Sequence, residues 1–138
     1  MVDLRNYVDE AGNEPFRKWV DGLEAWVADV VHDRLERARW GNFGDWKSLA
    51  GTGGVNEMRI SHGEGWRIYF GWDGMELVIL LGGGAKSDQK RDIPRATQLW
   101  EQYKTRKEQL LKKERGTKKS ELKARSKRLK QEARRRRK

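Results

Sequence analysis

Every large aromatic side chain of this protein lies at or before Tyr103: seven Trp, three Tyr and three Phe, with none in the stretch that follows. Side chains of this kind supply most of the area a small core can bury, so a packed domain is confined to residues 1–103. Residues 104–138 must form something else. A chain of 138 residues accommodates one compact domain with an extension, not two full domains. Charge changes sign at the same point: residues 1–103 carry 13 Lys+Arg against 17 Asp+Glu, net −4, and residues 104–138 carry 18 against 4, net +14. The overall +10 is therefore a property of the tail, which alone supplies attraction to polyanions. Its Leu110, Leu111, Leu122 and Leu129 cannot bury enough surface to hold a fold, so it reads as a basic, low-complexity extension, helical or disordered.

The absence of cysteine excludes disulfides and thiolate metal sites and is compatible with a reducing cytoplasm. With only His32 and His62 as histidines, no metal site and no cofactor is expected. The first residues, MVDLRNYVDE, are acidic where a signal peptide needs an apolar core. The longest apolar run, Leu77 to Leu81, is far shorter than the roughly 20 residues of a membrane span. The expected location is the cytoplasm, without membrane contact.

Alternation over residues 2–8 predicts a first strand. Asn13 offers an N-cap ahead of Glu14 and Pro15, and Phe16, Trp19, Val20 and Leu23 follow at helical spacing until Asp21-Gly22 interrupts. A second helix from about Leu23 to Trp40 has Val27, Val30, Val31, Leu35 and Ala38 as its apolar stripe. Its polar side carries Arg34, Arg37 and Arg39, either a solvated face or nucleic-acid contacts. Five glycines between Gly41 and Gly54 predict a loop. Three strands follow, Val55–Ser61, Trp66–Trp72 and Met75–Leu81, the last joined by an Asp73-Gly74 turn of type I′ and ending at the glycine turn Gly82-Gly83-Gly84. A third helix begins near Ser87 or Asp88, or later if Pro94 is to sit in its first turn, and carries Ile93, Ala96, Trp100 and Tyr103. The predicted fold is α+β: an antiparallel sheet of about four strands, two N-terminal helices and a C-terminal helix, then the tail.

No nucleophilic triad, paired carboxylates or metal-ligand spacing is present, and Gly82 to Ser87 lacks the spacing of a phosphate loop. What remains is a set of cations on a small sheet. Arg59 and Arg67 lie on adjacent predicted strands, where cross-strand pairing in a suitable register brings side chains to about 5–8 Å. Two guanidiniums so held suit a phosphodiester and the charge that develops as it is cleaved; the competing reading is an ion pair of Arg59 with Glu57 or Glu64. Lys86 follows the third strand as a candidate phosphate contact, and His62, in a turn, as a proton-transfer group. Arg59, Arg67, Lys86 and His62 are thus the candidate catalytic residues. Arg34, Arg37, Lys47, Lys90 and Arg91 in the core region, with Lys118, Lys119, Arg134, Arg135, Arg136 and Arg137 in the tail, are candidate nucleic-acid contacts.

The segments PFRKWVDGL, GNFGDWKSL, GVNEMRI, GEGWRIYF, LVILLGGGAKSDQKRDIPRA and LWEQY, spread over residues 2–103, resemble the RelE/ParE superfamily of toxins from type II toxin–antitoxin modules, in its phage-derived, HigB-like, plasmid-addiction branch. That resemblance implies a β-α-α-β-β-β core with a C-terminal helix, growth arrest, and a cognate antitoxin of helix-turn-helix type that wraps the toxin. It also implies a ribosome-dependent mRNA endonuclease working without metal, in which the RNA 2′-hydroxyl attacks the adjacent phosphate. Arg67 then matches the arginine of the glycine-aromatic-arginine motif, Arg59 that of the preceding strand, and Lys86 the lysine after the last strand. The chain departs from the pattern at Asn56 and Glu57, where nuclease members carry lysines, and at Ile93, where they carry a tyrosine. Two other functions compete: a ParE-like inhibitor of DNA gyrase, and a catalytically degenerate protein that binds nucleic acid. The oligomeric state is open.

Overall fold

A computed structural model describes residues 1–136, and the chain divides into two compact units, Met1–Tyr103 and Lys104–Lys138. In chain order the elements are β1 (Asp3–Asn6), α1 (Pro15–Asp21), α2 (Ala25–Arg39), β2 (Trp46–Ser48), β3 (Val55–Ile60), β4 (Trp66–Asp73), β5 (Leu77–Ala85) and α3 (Gln89–Arg136), the last preceded by a 3-10 turn at Lys86–Asp88. The strands form one sheet in the order β1-β5-β4-β3-β2.

The sheet differs from the expected one in two respects. It has five strands, because Trp46–Ser48 in the expected loop pairs antiparallel with β3; all three of its residues are exposed, so no alternation betrays it. It is also mixed, since β1 pairs parallel with β5 from Asp3 opposite Leu77 to Asn6 opposite Leu80. The pair α1–α2 carries the chain from β1 at one edge to β2 at the other, and β3, β4 and β5 then return by hairpins.

Gly82-Gly83-Gly84 is not a turn, as expected, but the last third of β5. The reason is lateral packing. A Cβ on Gly83 would overlap the Trp19 indole of α1, and one on Gly84 would overlap the Asp92 carboxylate of α3. The Asp73-Gly74 turn is not of type I′ either: Asp73 pairs with Leu77, leaving a three-residue connection in which only Gly74 has positive φ, at 74°. At α1 the N-cap is Glu14, with no side-chain cap bond, in place of the expected Asn13; Pro15 occupies the first helical position. α3 starts at Gln89, with Pro94 inside it.

The sheet buries both faces. On one, Met58, Ile60, Ile68, Phe70, Val78 and Leu80 pack under Phe16 of α1 and Val31 and Ala38 of α2. Phe70 is fully buried and meets the Phe43 and Trp46 rings at 5.4 and 6.2 Å. On the other, Val55, Tyr69, Ile79 and Leu81 pack under Ala96 and Trp100 of α3. Trp100 lies flat on Gly71 and donates Nε1–H to the Gly53 carbonyl at 3.0 Å. Burial of one large apolar side chain contributes about 1.5–3 kcal/mol, so two such clusters account for a stable sheet. In the second unit the described residues are helical and almost all exposed, Leu110, Leu111, Leu122 and Leu129 included.

Candidate functional site

On the α3-covered face, β3 and β4 bring charged side chains together through their register. Glu57 stands opposite Tyr69 and Arg59 opposite Arg67. Directly opposed residues share a face of the sheet, so the four side chains form one block. Glu57 is its centre, at 1% exposure. It accepts hydrogen bonds from Arg59 Nε at 3.1 Å and from Gln89 Nε2 of α3 at 3.1 Å, while Arg67 Nε lies 3.9 Å and Lys47 Nζ 4.0 Å from its oxygens. A carboxylate is tolerated at such depth only with partners of this kind.

The two arginines are placed differently. The Arg67 side chain is 10% exposed, and its Nη1 donates to its neighbour's carbonyl, Trp66 O, at 3.1 Å. The Arg59 side chain is 30% exposed. Glu57 takes its Nε–H, and no group among the described residues takes its terminal nitrogens. The expected pairing of Arg59 and Arg67 is thus present in space, with Glu57 between them.

Lys86 is exposed where β5 ends. Its backbone N–H donates to Gly65 O at 3.0 Å, and its side-chain stem runs along the β3–β4 connection. Among the described residues no carboxylate pairs with its ammonium. His62 is exposed in the same connection, its carbonyl accepting from Gly65 N–H. Arg34 of α2 is half-buried and donates to Arg59 O at 2.8 Å and Phe43 O at 3.0 Å; burial, then the nearby Arg37, holds its pKa below the usual arginine value. It ties α2 to the end of β3. Arg37 pairs with Asp33 at 3.0 Å, and Arg91 with Asp88 at 3.4 Å and Asp92 at 3.1 Å. Lys90, Lys118, Lys119, Arg134, Arg135 and Arg136 are exposed; Arg137 lies outside the described residues.

Three residues of this neighbourhood carry no expectation from sequence: Tyr69, Asp92 and Gln89. The Tyr69 hydroxyl and Asp92 Oδ2 are both buried without a hydrogen-bond partner among the described residues. Burial, then the charge of Glu57, pushes the Tyr69 phenol well above its ordinary value. Both residues border a groove of about 980 Å³ between α1 and the first turns of α3, floored by Leu81, Gly82 and Gly83 of β5. The one signal available in sequence was Glu57 itself, a carboxylate two residues from Arg59 in the middle of a strand. Among the described residues no cluster of three or more His, Cys, Asp or Glu is arranged to hold a metal ion, and no helix is long and apolar enough to cross a membrane.

Residues 18–101 match a family model described as "Phage derived protein Gp49-like (DUF891)". An uncharacterized protein of Haemophilus influenzae is 42% identical over 82 residues, which span 59% of this chain and 81% of that protein.

Proposed function

The chain belongs to the family of phage-derived Gp49-like proteins, which is associated with RelE-like toxins, and from that premise we propose that it is the toxin of a type II toxin–antitoxin module, a metal-independent endonuclease that cuts mRNA at the ribosome and arrests translation. One observation carries this reading. Arg59 is held by Glu57 through Nε, and no other group among the described residues takes its terminal nitrogens, which form a two-pronged donor near the end of β3, suited to a phosphodiester. Lys86, exposed at the adjoining connection, supplies a second cation. Arg67 is too deeply set to meet substrate directly; Glu57, to which it is close, is the group that fixes Arg59.

In the proposed reaction the RNA 2′-oxygen bonds to phosphorus as the bond to the 5′-oxygen breaks, leaving a 2′,3′-cyclic phosphate and a 5′-hydroxyl. The proton leaves the 2′-hydroxyl and one is delivered to the 5′-oxygen; His62 and Lys86 are the exposed groups able to exchange it. Arg59 offsets the charge that grows on the non-bridging oxygens. A cognate antitoxin of helix-turn-helix type would restrain this activity, and the tail would add affinity for ribosomal RNA.

A second reading, a nucleic-acid-binding protein without activity, is favoured by the neutralisation of Arg59 and Arg67 by one carboxylate. Induced expression with mapping of transcript ends separates the two. Codon-phased cuts that vanish in Arg59→Ala support the nuclease, and intact transcripts with growth unaffected support the second reading. Intact transcripts with lost plasmid supercoiling would point instead to gyrase inhibition.

A further inference from the structure

Trp26 stands in the first turn of α2 with 48% of its surface exposed, although Val27 and Val31 beside it already supply that helix's buried face. Core packing does not call for a tryptophan there. Its indole is nevertheless held firmly. Nε1–H donates to Glu24 Oε2 at 2.8 Å, and the far edge of the ring rests on the β3–β4 connection, where Cη2 would lie 3.1 Å from a Cβ at Gly63. Gly63 has φ of +60°, which favours glycine, and a Cβ there would crowd the ring. The same connection carries exposed His62 and is lined at Gly65 by the stem of Lys86.

A fixed, half-exposed aromatic ring next to cations with open donors is the arrangement by which proteins hold single-stranded RNA, the ring taking a base and the cations the backbone. We propose that Trp26 is a base-stacking residue: one nucleobase of a single-stranded RNA lies on the open face of its indole while an adjoining phosphate is held by Lys86. The inference rests on the nuclease reading for its substrate class and adds a positioning residue to it. Because the ring is already immobilised by Glu24 and Gly63, stacking sacrifices little side-chain freedom. Two acidic groups face the same place. The Glu24 carboxylate is engaged by the indole N–H, whereas Glu64, exposed in the connection, opposes a phosphate; Glu64→Gln should therefore tighten binding.

The test uses the full chain and a fluorescently labelled oligoadenylate 10-mer, with an abasic ribose-phosphate 10-mer as its control. Both are titrated at about 0.3 M salt, where attraction to the basic tail is weakened. Trp26→Ala should lose about 5- to 100-fold in affinity for oligoadenylate, the range for a ring removed from beneath a stacked base. Trp26→Phe should keep most of it, and neither variant should change affinity for the abasic chain. Unchanged oligoadenylate binding by Trp26→Ala overturns the proposal. An equal loss on the abasic chain also overturns it, since Trp26 would then act only through the shape of the connection. A change in self-association at unaltered RNA affinity, seen by sedimentation, would make it a protein contact instead and overturn it as well. If wild type cuts no transcript but these affinities follow the expected pattern, the nuclease reading fails while the stacking site stands.

Discussion

Replacing Glu57 by Ala removes the one carboxylate around which β3, β4 and α3 arrange their charges. At 1% exposure it satisfies Arg59 Nε and Gln89 Nε2, both at 3.1 Å, and is the anion nearest to Arg67 Nε at 3.9 Å. The Arg59 side chain, 30% exposed, can turn to water, so its lost pair contributes little. Arg67 cannot, because its side chain is 10% exposed. Stranding one partner of a buried pair costs about 3–5 kcal/mol; the 3.9 Å separation argues for the lower end, near 3 kcal/mol. For a domain of this size that is a loss of about 12–24 °C in Tm. Urea unfolding of the full chain, followed by tryptophan fluorescence, should show a lower midpoint at unchanged slope. Exchanging both charges for apolar groups, Glu57→Leu with Arg67→Met, should recover most of the loss, because no charge is then left stranded. A cost below about 1 kcal/mol for Glu57→Ala, or strict additivity in the double variant, would refute this account of the cluster.

Gly71→Ala should cost about 1–3 kcal/mol, since its Cβ would lie 2.6 Å from the Trp100 ring and push the indole off Gly53 O; a midpoint within error of wild type would show that the ring can shift freely. Stability should fall as pH rises above about 10: burial, then Glu57, raises the Tyr69 phenol, and burial, then the hydrogen bond to Asp73, raises Tyr103. The unfolded chain sheds those protons first and so binds fewer than the folded one, which makes the contribution complete below pH 10 and lost as the folded phenols ionise. Thermal melts from pH 8 to 11 should therefore be flatter in the Tyr69→Phe, Tyr103→Phe double variant, and an identical decline would contradict the assignment. Ending the chain at Tyr103 removes 18 Lys+Arg against 4 Asp+Glu, so the logarithm of RNA affinity should depend less steeply on that of salt, by about 0.7 for each phosphate that the tail would otherwise neutralise. An unaltered slope in a filter-binding titration would make the tail a bystander.

The strands β3, β4 and β5 were legible because each is a short run with apolar residues bounded by turn residues, and α1 and α2 because Phe16 to Leu23 and Val27 to Ala38 repeat at helical spacing. β2 was not, because three exposed residues bear no pattern and owe their conformation to pairing with Asn56, Glu57 and Met58. Of the candidate site, the sequence placed Arg59 and Arg67 on adjacent strands but left their register open; the structure sets them directly opposite. The sequence did not indicate that they would differ in depth. Arg67 sits on β4, the central strand, whereas Arg59 sits near the end of β3, flanked on its outer side by the three-residue β2.

The three glycines of β5 show why a local rule and a tertiary one can conflict. Read locally, Gly82-Gly83-Gly84 breaks a strand, because glycine carries no side chain to pack and gains entropy in the unfolded chain. In the fold those missing side chains are what permits Trp19 to approach from one face at Gly83 and Asp92 from the other at Gly84. The strand therefore continues to Ala85 and delivers Lys86 beside Gly65. A turn at Gly82 would have released Lys86 several residues earlier, away from the connection that holds His62. The glycine run thus contributes to the candidate site by keeping β5 thin enough for both layers of helices to close on it.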